Sequence, residues 1–243
     1  MAKFSVITSV YKNDHPDYVR TALKSITSEQ TRKPAEIVLV VDGPVSDSLA
    51  MVIKEYEHNP VFRVIWLKEN KGLGNALRLG VEKAKYNICA RMDSDDVSAH
   101  NRFAQQMDFL ANHPETDIVG GQITEFIDTE DNVVANRTVP CTDEEIKQDM
   151  KRRCAFNHMT VMFRREAVLK AGNYQDWFWN EDYYLWIRMM LAGCKFANLP
   201  ENLVNVRVGR GMYARRGGWR YFKSEARLQR YMYGHHLTTG GGI

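Results

Sequence analysis

Cysteine is scarce in this 243-residue chain, and the four present, Cys89, Cys141, Cys154 and Cys194, form no CxxC pair. That spacing offers neither a disulfide framework nor a zinc site, and reduced thiols in a cytosolic protein fit it better. No apolar run reaches the roughly 20 residues a membrane-spanning helix needs. The amino terminus enters strand-like sequence at Phe4 without the charged segment and long apolar stretch of a signal peptide, so a cytoplasmic location is expected. The glycine fingerprint GxGxxG and the Walker A loop are both absent, which argues against a nicotinamide dehydrogenase and a P-loop NTPase. Net charge is only +3, too little to imply a nucleic-acid partner, and none is expected.

What is present is an alternation of elements. Phe4 to Val10 reads as a buried strand. Tyr18, Val19, Leu23 and Ile26 then fall at helical spacing from about Pro16. Glu36 to Val41 is an unbroken Val/Ile/Leu run, the mark of a strand covered on both faces in a parallel sheet. A helix over about 46–58 and a strand over Phe62 to Leu67 continue the pattern, which predicts a doubly wound α/β sheet with helices on both faces. Asn70-Lys71-Gly72-Leu73-Gly74 opens the next helix, and its glycines are read as packing devices before a phosphate cradle. Further along, Ile118 to Ile123 and Phe126-Ile127 read as a strand bent at the glycine pair. Asn157 to Phe163 reads as a strand returning to the sheet.

Two carboxylate clusters interrupt this frame. The run Ile88 to Met92 ends in Asp93-Ser94-Asp95-Asp96, a strand delivering acids to the edge of the sheet where open α/β folds bind ligands. Adjacent carboxylates repel, and hard oxygen donors select Mg²⁺ or Mn²⁺ held jointly with substrate phosphates. The plain alternative is a solvated turn capping the following helix. The second cluster is Trp177-Phe178-Trp179-Asn180-Glu181-Asp182. Acids at a helix start complement its dipole, which suffices for Glu181. Beside aromatic walls Asp182 is a candidate general base with a raised pKa, and Trp179 a candidate sugar platform.

The end of the chain differs in composition. Arg207, Arg210, Arg215 and Arg216 lie among glycines, followed by Arg220, Lys223, Arg227 and Arg230 at helical spacing. This is either a solvated helix face or a basic surface for diphosphate or anionic lipid headgroups, with peripheral contact at the inner face of the plasma membrane. Residues 1–208 are expected to form one domain, with a first half to about 98 and a second half from about 99. Residues 209–243 add a basic loop, a helix and a tail.

Ser5 to Tyr11, Ile37 to Gly43, Asn70 to Gly72, Ala90 to Asp96 and Asn180 to Trp186, in this order and spacing, resemble the inverting family 2 glycosyltransferases of GT-A fold, with a C-terminal section similar to capsule and exopolysaccharide enzymes. The resemblance implies a UDP-sugar donor, a Mn²⁺ or Mg²⁺ cofactor and a glycan or lipid-diphosphate-linked acceptor. It implies Thr8 and Tyr11 at the uracil and Asp42 accepting from base or ribose. Arg91 and Asp93 fall within the donor motif, Asp93 in support. Asp95 would reach ribose or metal, and Asp96 would ligate the metal in a DxD-type motif. Asp182 would be the base with Glu181 beside it, and His158 would stand on the acceptor side. Relatives often carry a histidine after the last core strand. Here Val206-Arg207-Val208-Gly209-Arg210 has none, so Arg207, Arg210 or the Arg215-Arg216 pair is expected to neutralise phosphate instead. A second reading is a non-catalytic nucleotide- or glycan-binding subunit of a polysaccharide assembly complex. A sugar-1-phosphate nucleotidyltransferase is disfavoured because its glycine/arginine-rich signature is missing after Val10.

Overall fold

The computed structural model describes residues 2–209 and 218–238. In chain order the first half holds β1 (Phe4–Val10), α1 (Pro16–Ser25), β2 (Glu36–Val41), α2 (Asp47–Glu57), β3 (Phe62–Trp66), α3 (Leu73–Lys83), β4 (Ile88–Arg91) and β5 (Val97–Ser98). Then follow α4 (Arg102–Asn112), β6 (Ile118–Phe126), β7 (Val133–Arg137), α5 (Asp143–Asp149), β8 (Met162–Arg164), α6 (Arg165–Lys170), α7 (Glu181–Leu191), β9 (Phe196–Arg207) and α8 (Trp219–Gly234). The strands join one mixed sheet in the order β3-β2-β1-β4-β8-β6-β9-β5, with β7 on the edge of β6.

β1, β2, β3 and β4 are mutually parallel, with Ile7 opposite both Val38 and Arg91. Their carboxyl ends therefore open on one edge. The unbroken apolar run of β2 has its explanation in the two cores. Ile37, Leu39 and Val41 enter one layer and Val38 and Val40 the other, so neither face of the strand meets water. Close packing demands glycine at particular points. A Cβ on Gly80 of α3 would lie 2.4 Å from Ile7 Cγ2, and one on Gly121 would lie 2.5 Å from Leu203 Cδ1. The register of β6 against β9 shifts beside that glycine pair, where a bend was expected.

One expectation needs correction, and one element was not foreseen. The strand predicted from Asn157 is only Met162–Arg164; before it, His158–Thr160 is a 3₁₀ turn. Thr160 Oγ1 donates to Asn157 O at 2.7 Å and Asn157 Nδ2 to Gly121 O at 2.9 Å. These side-chain bonds replace ladder bonds and free the segment to turn. β7 gave no sequence signal because it is an edge strand whose Val133 and Val134 stay exposed.

Candidate active site

Tyr11, Asp42 and Asp93 each follow the last residue of a parallel strand or lie one beyond it, so the sheet itself gathers them at one edge. Asp42 points both carboxylate oxygens at a neighbouring turn. Oδ1 accepts from Lys71 N at 2.7 Å and Oδ2 from Gly72 N at 2.9 Å. The free N–H groups of that glycine turn are thus partly consumed within the protein. Thr8 is buried inside β1, whereas Tyr11 is exposed at the strand end.

The Asp93–Asp96 turn is electrostatically loaded. Arg91, almost wholly buried, forms an ion pair with Asp93, while its Nε and Nη1 have no hydrogen-bond partner among the described residues. Asp95, although exposed at its surface, is pushed up to about 6 by the protein packed around its carboxyl and by the charges of Asp93 and Asp14. Asp96 is raised well above the carboxylate range by burial and by the charges of Asp93 and Asp95, although its Oδ1 accepts from Arg207 N at 2.9 Å. Asp14, from the loop after β1, closes over this turn. Its Oδ2 accepts from Tyr11 N and Ser94 Oγ, both at 2.9 Å, and burial pushes its carboxyl up to about 6.

Crowded acids with raised pKa values are stabilised by a cation. Among the described residues no cluster of three or more ligating side chains is preformed. Mg²⁺ and Mn²⁺ bind through one or two carboxylates and complete their shell with water and substrate phosphates. Asp95 and Asp96 are a donor set of that kind.

The opposite wall is the start of α7. Its dipole favours the acids Glu181 and Asp182, but burial wins. Glu181 is pushed up to about 7 by burial and by Asp182's charge, and Asp182 is raised by burial despite a 2.7 Å bond from Tyr183 N to its Oδ1. Asp182 Oδ2 faces His158 Nδ1 at 3.8 Å. Burial and the nearby Arg91 hold His158 well below its ordinary pKa, so the imidazole is neutral and this approach is no ion pair. Nε2 of His158 instead meets the Tyr174 hydroxyl at 2.9 Å. In the preceding loop Trp179 has φ of +61°, a conformation costing a bulky L-residue about 1–2 kcal/mol. The loop is held there by α8, since Ser224 Oγ donates to Phe178 O and accepts from Asn180 Nδ2.

A cavity of about 880 Å³ lies between the two walls. It brings together Tyr11, Arg91, Asp93, Asp95, His158, Trp179, Glu181 and Asp182. Thr8, Asp42, Asp96 and Arg207 do not line it. Arg207 corrects an expectation, because its guanidinium donates to Asp95 O and Asp128 O and sits over the Tyr18 and Phe126 rings. Its cation is committed to that packing, away from the cavity. Arg210, Arg215 and Arg216 lie outside the described residues. On α8, Arg220 covers Phe178 and Arg227 covers Trp177, so two of the four basic residues brace the aromatic loop. Sequence reasoning missed Asp14, Tyr174, Arg137, Arg152 and Arg153, the last three of which line the cavity. None has a local motif, and only the folding of distant segments onto the site marks them.

Residues 5–172 match the family described as Glycosyl transferase family 2. The chain is similar to an uncharacterized glycosyltransferase of Haemophilus influenzae (43% identical; 93% of this chain, 86% of that one). It is 40% identical to the amylovoran biosynthesis glycosyltransferase AmsE of Erwinia amylovora (93% and 84%). It is 32% identical to the UDP-Gal:alpha-D-GlcNAc-diphosphoundecaprenol beta-1,3-galactosyltransferase of Escherichia coli (95% and 83%). Among solved structures, S. aureus TarS 1-349 in complex with UDP-GlcNAc superposes with a TM-score of 0.71 at 18% identity, covering 94% of this chain and 66% of that one. The mannosyltransferase PcManGT of Pyrobaculum calidifontis, in complex with GDP-Man and Mn2+, gives 0.64 at 18% identity (93% and 69%). The chain spans 39% of the longer TarS structure. At these identities the structures establish a shared fold.

Proposed function

Because the chain belongs to glycosyl transferase family 2, we propose that it moves a sugar from a UDP-sugar to a hydroxyl of a glycan or lipid-diphosphate-linked acceptor in cell-surface polysaccharide synthesis. The observation that carries this reading is one cavity with Asp93 and Asp95 on one wall and Asp182 on the other. Relatives named for amylovoran biosynthesis and for a diphosphoundecaprenol acceptor support the substrate class.

In this mechanism Tyr11, Thr8 and Asp42 form the nucleoside end, Asp42 through lone pairs left after its two backbone bonds. Asp95 and Asp96 would hold Mn²⁺ or Mg²⁺ with the donor diphosphate, and the cation, when bound, would offset charge developing on the leaving group. Arg91 adds a buried positive charge between the two acid clusters. The acceptor oxygen attacks the anomeric carbon as the bond to the diphosphate breaks on the opposite face, which inverts configuration. Its proton passes to Asp182 Oδ2, the oxygen that Tyr183 N leaves free. Trp179 offers its ring to the acceptor sugar.

The test is thermal denaturation with UDP, GDP, CDP and dTDP, each with Mn²⁺ or with EDTA. A ligand at about 100 times its Kd adds roughly 2.7 kcal/mol. A UDP shift that needs Mn²⁺ and is lost in Asp96→Asn is expected; no shift with any nucleotide would sink the donor reading.

Peripheral membrane contact belongs to the same proposal. Among the described residues no helix is long and apolar enough to cross a membrane. On α8, however, Trp219, Phe222 and Tyr233 are exposed at helical spacing beside Lys223 and Arg230, a composition suited to lipid headgroups. Trp219→Ser with Phe222→Ser is expected to abolish sedimentation with phosphatidylglycerol vesicles. Wild-type protein that never sediments with them would remove this part of the proposal.

A further inference from the structure

The transfer chemistry uses the carboxylates of the cavity and leaves unassigned three cations that line it, Arg137, Arg152 and Arg153. Arg137 is the last residue of β7 and is half-buried; Arg152 and Arg153 follow α5. These segments meet only through the fold. Arg152 and Arg153 also line an adjoining cavity of about 740 Å³, so they stand on the ridge between two open volumes. Arg153 is paired at 2.9 Å with Asp149, while among the described residues Arg137 and Arg152 form no ion pair.

The position of these cations decides what they can hold. The donor diphosphate is assigned to the strand edge at Asp95, on the other wall. Arg137 is instead near enough to Asp182 to draw its carboxyl downward against the effect of burial. Arg137 and Asp182 line one cavity, so a group held by Arg137 shares the volume that must receive the acceptor hydroxyl which Asp182 would deprotonate. Guanidinium forks match phosphate oxygens in pairs, with stronger bonds than neutral donors make. Arginines that form no ion pair among the described residues and that line the cavity, as Arg137 and Arg152 do, suit an anion brought by the substrate.

We propose that Arg137 and Arg152, with Arg153 at the rim, form a phosphate subsite for the acceptor, which is therefore a glycan carrying a phosphate or diphosphate rather than a neutral sugar. This rests on the glycosyl-transfer reading above and assigns its acceptor end to residues.

The test is calorimetry on the full chain saturated with UDP and Mn²⁺. The probes are decyl N-acetylglucosaminyl diphosphate and decyl N-acetylglucosaminide, which differ only in the phosphates. Wild-type protein is expected to prefer the diphosphate by about tenfold or more, the scale of one charged hydrogen bond. Arg137→Gln with Arg152→Gln is expected to lose that preference and keep its UDP affinity and melting temperature. Equal binding, or none, of the two probes by wild type would overturn the subsite while UDP binding left the donor reading standing. A variant that loses UDP affinity would place these arginines on the donor and equally overturn it. A variant that loses binding to phosphatidylglycerol vesicles yet keeps the probe preference would assign them to lipid headgroups and refute the acceptor subsite. Wild-type protein that binds no UDP would instead fail the underlying reading, and the subsite with it.

Discussion

Asp182→Asn is expected to lower turnover by about 10²- to 10⁴-fold, the usual contribution of a positioned general base, while leaving UDP affinity near wild type. Burial raises the carboxyl of Asp182, and only its ionised form accepts a proton. Wild-type kcat should therefore fall as pH drops through that raised pKa. The amide has no such titration, so this acidic limb should vanish in the variant. The separation of effects follows from geometry, since Asp182 is on α7, across the cavity from the Asp93–Asp96 turn. Near-normal turnover in Asp182→Asn, or an unchanged acidic limb, would remove Asp182 from the role of base.

Glu181→Gln is expected to stabilise the protein at pH 8, with the melting temperature rising by roughly 5 °C for a chain of this size. Glu181 is pushed from 4.5 up to about 7, first by burial and then by Asp182. Below pH 4.5 both folded and unfolded chains hold the proton, and the group costs nothing. Between 4.5 and 7 the unfolded chain releases the proton first, so stability falls as pH rises; above 7 the full penalty remains. A shift of this size corresponds to about 3 kcal/mol. The melting temperatures of variant and wild type should converge near pH 4.5. A stability difference that does not change with pH would show that burial of the charge is not its cause.

Much of the frame was legible in the chain. The strands from Phe4, Glu36 and Phe62 stand where they were predicted, and the run from Glu36 is apolar throughout because that strand is covered on both faces. The two acidic stretches were legible as well, since each follows an element boundary that hydrophobic patterning marks. β7 was not, because its valines face water and carry no periodic signal. The turn at His158 was hidden for another reason: Asn157 and Thr160 form it with bonds to Gly121 and to each other, partners that local sequence does not reveal.

By itself the sequence determined which residues could do chemistry and at which strand and helix ends they would stand, because local periodicity and chain breaks are properties of neighbours. Only the tertiary structure decided which of them share one cavity. It turned Arg207 into a packed cation over Tyr18 and Phe126, although its place after the last strand suggested a phosphate contact. It brought Arg137 from an edge strand and Arg152 from a helix end to the cavity that Asp182 also lines. It also buried Glu181 and Asp182 together, raising both carboxyls against the helix dipole. The physical reason is common to all three cases: desolvation and long-range charge depend on what the rest of the chain lays over a residue, and no neighbour in sequence reports that.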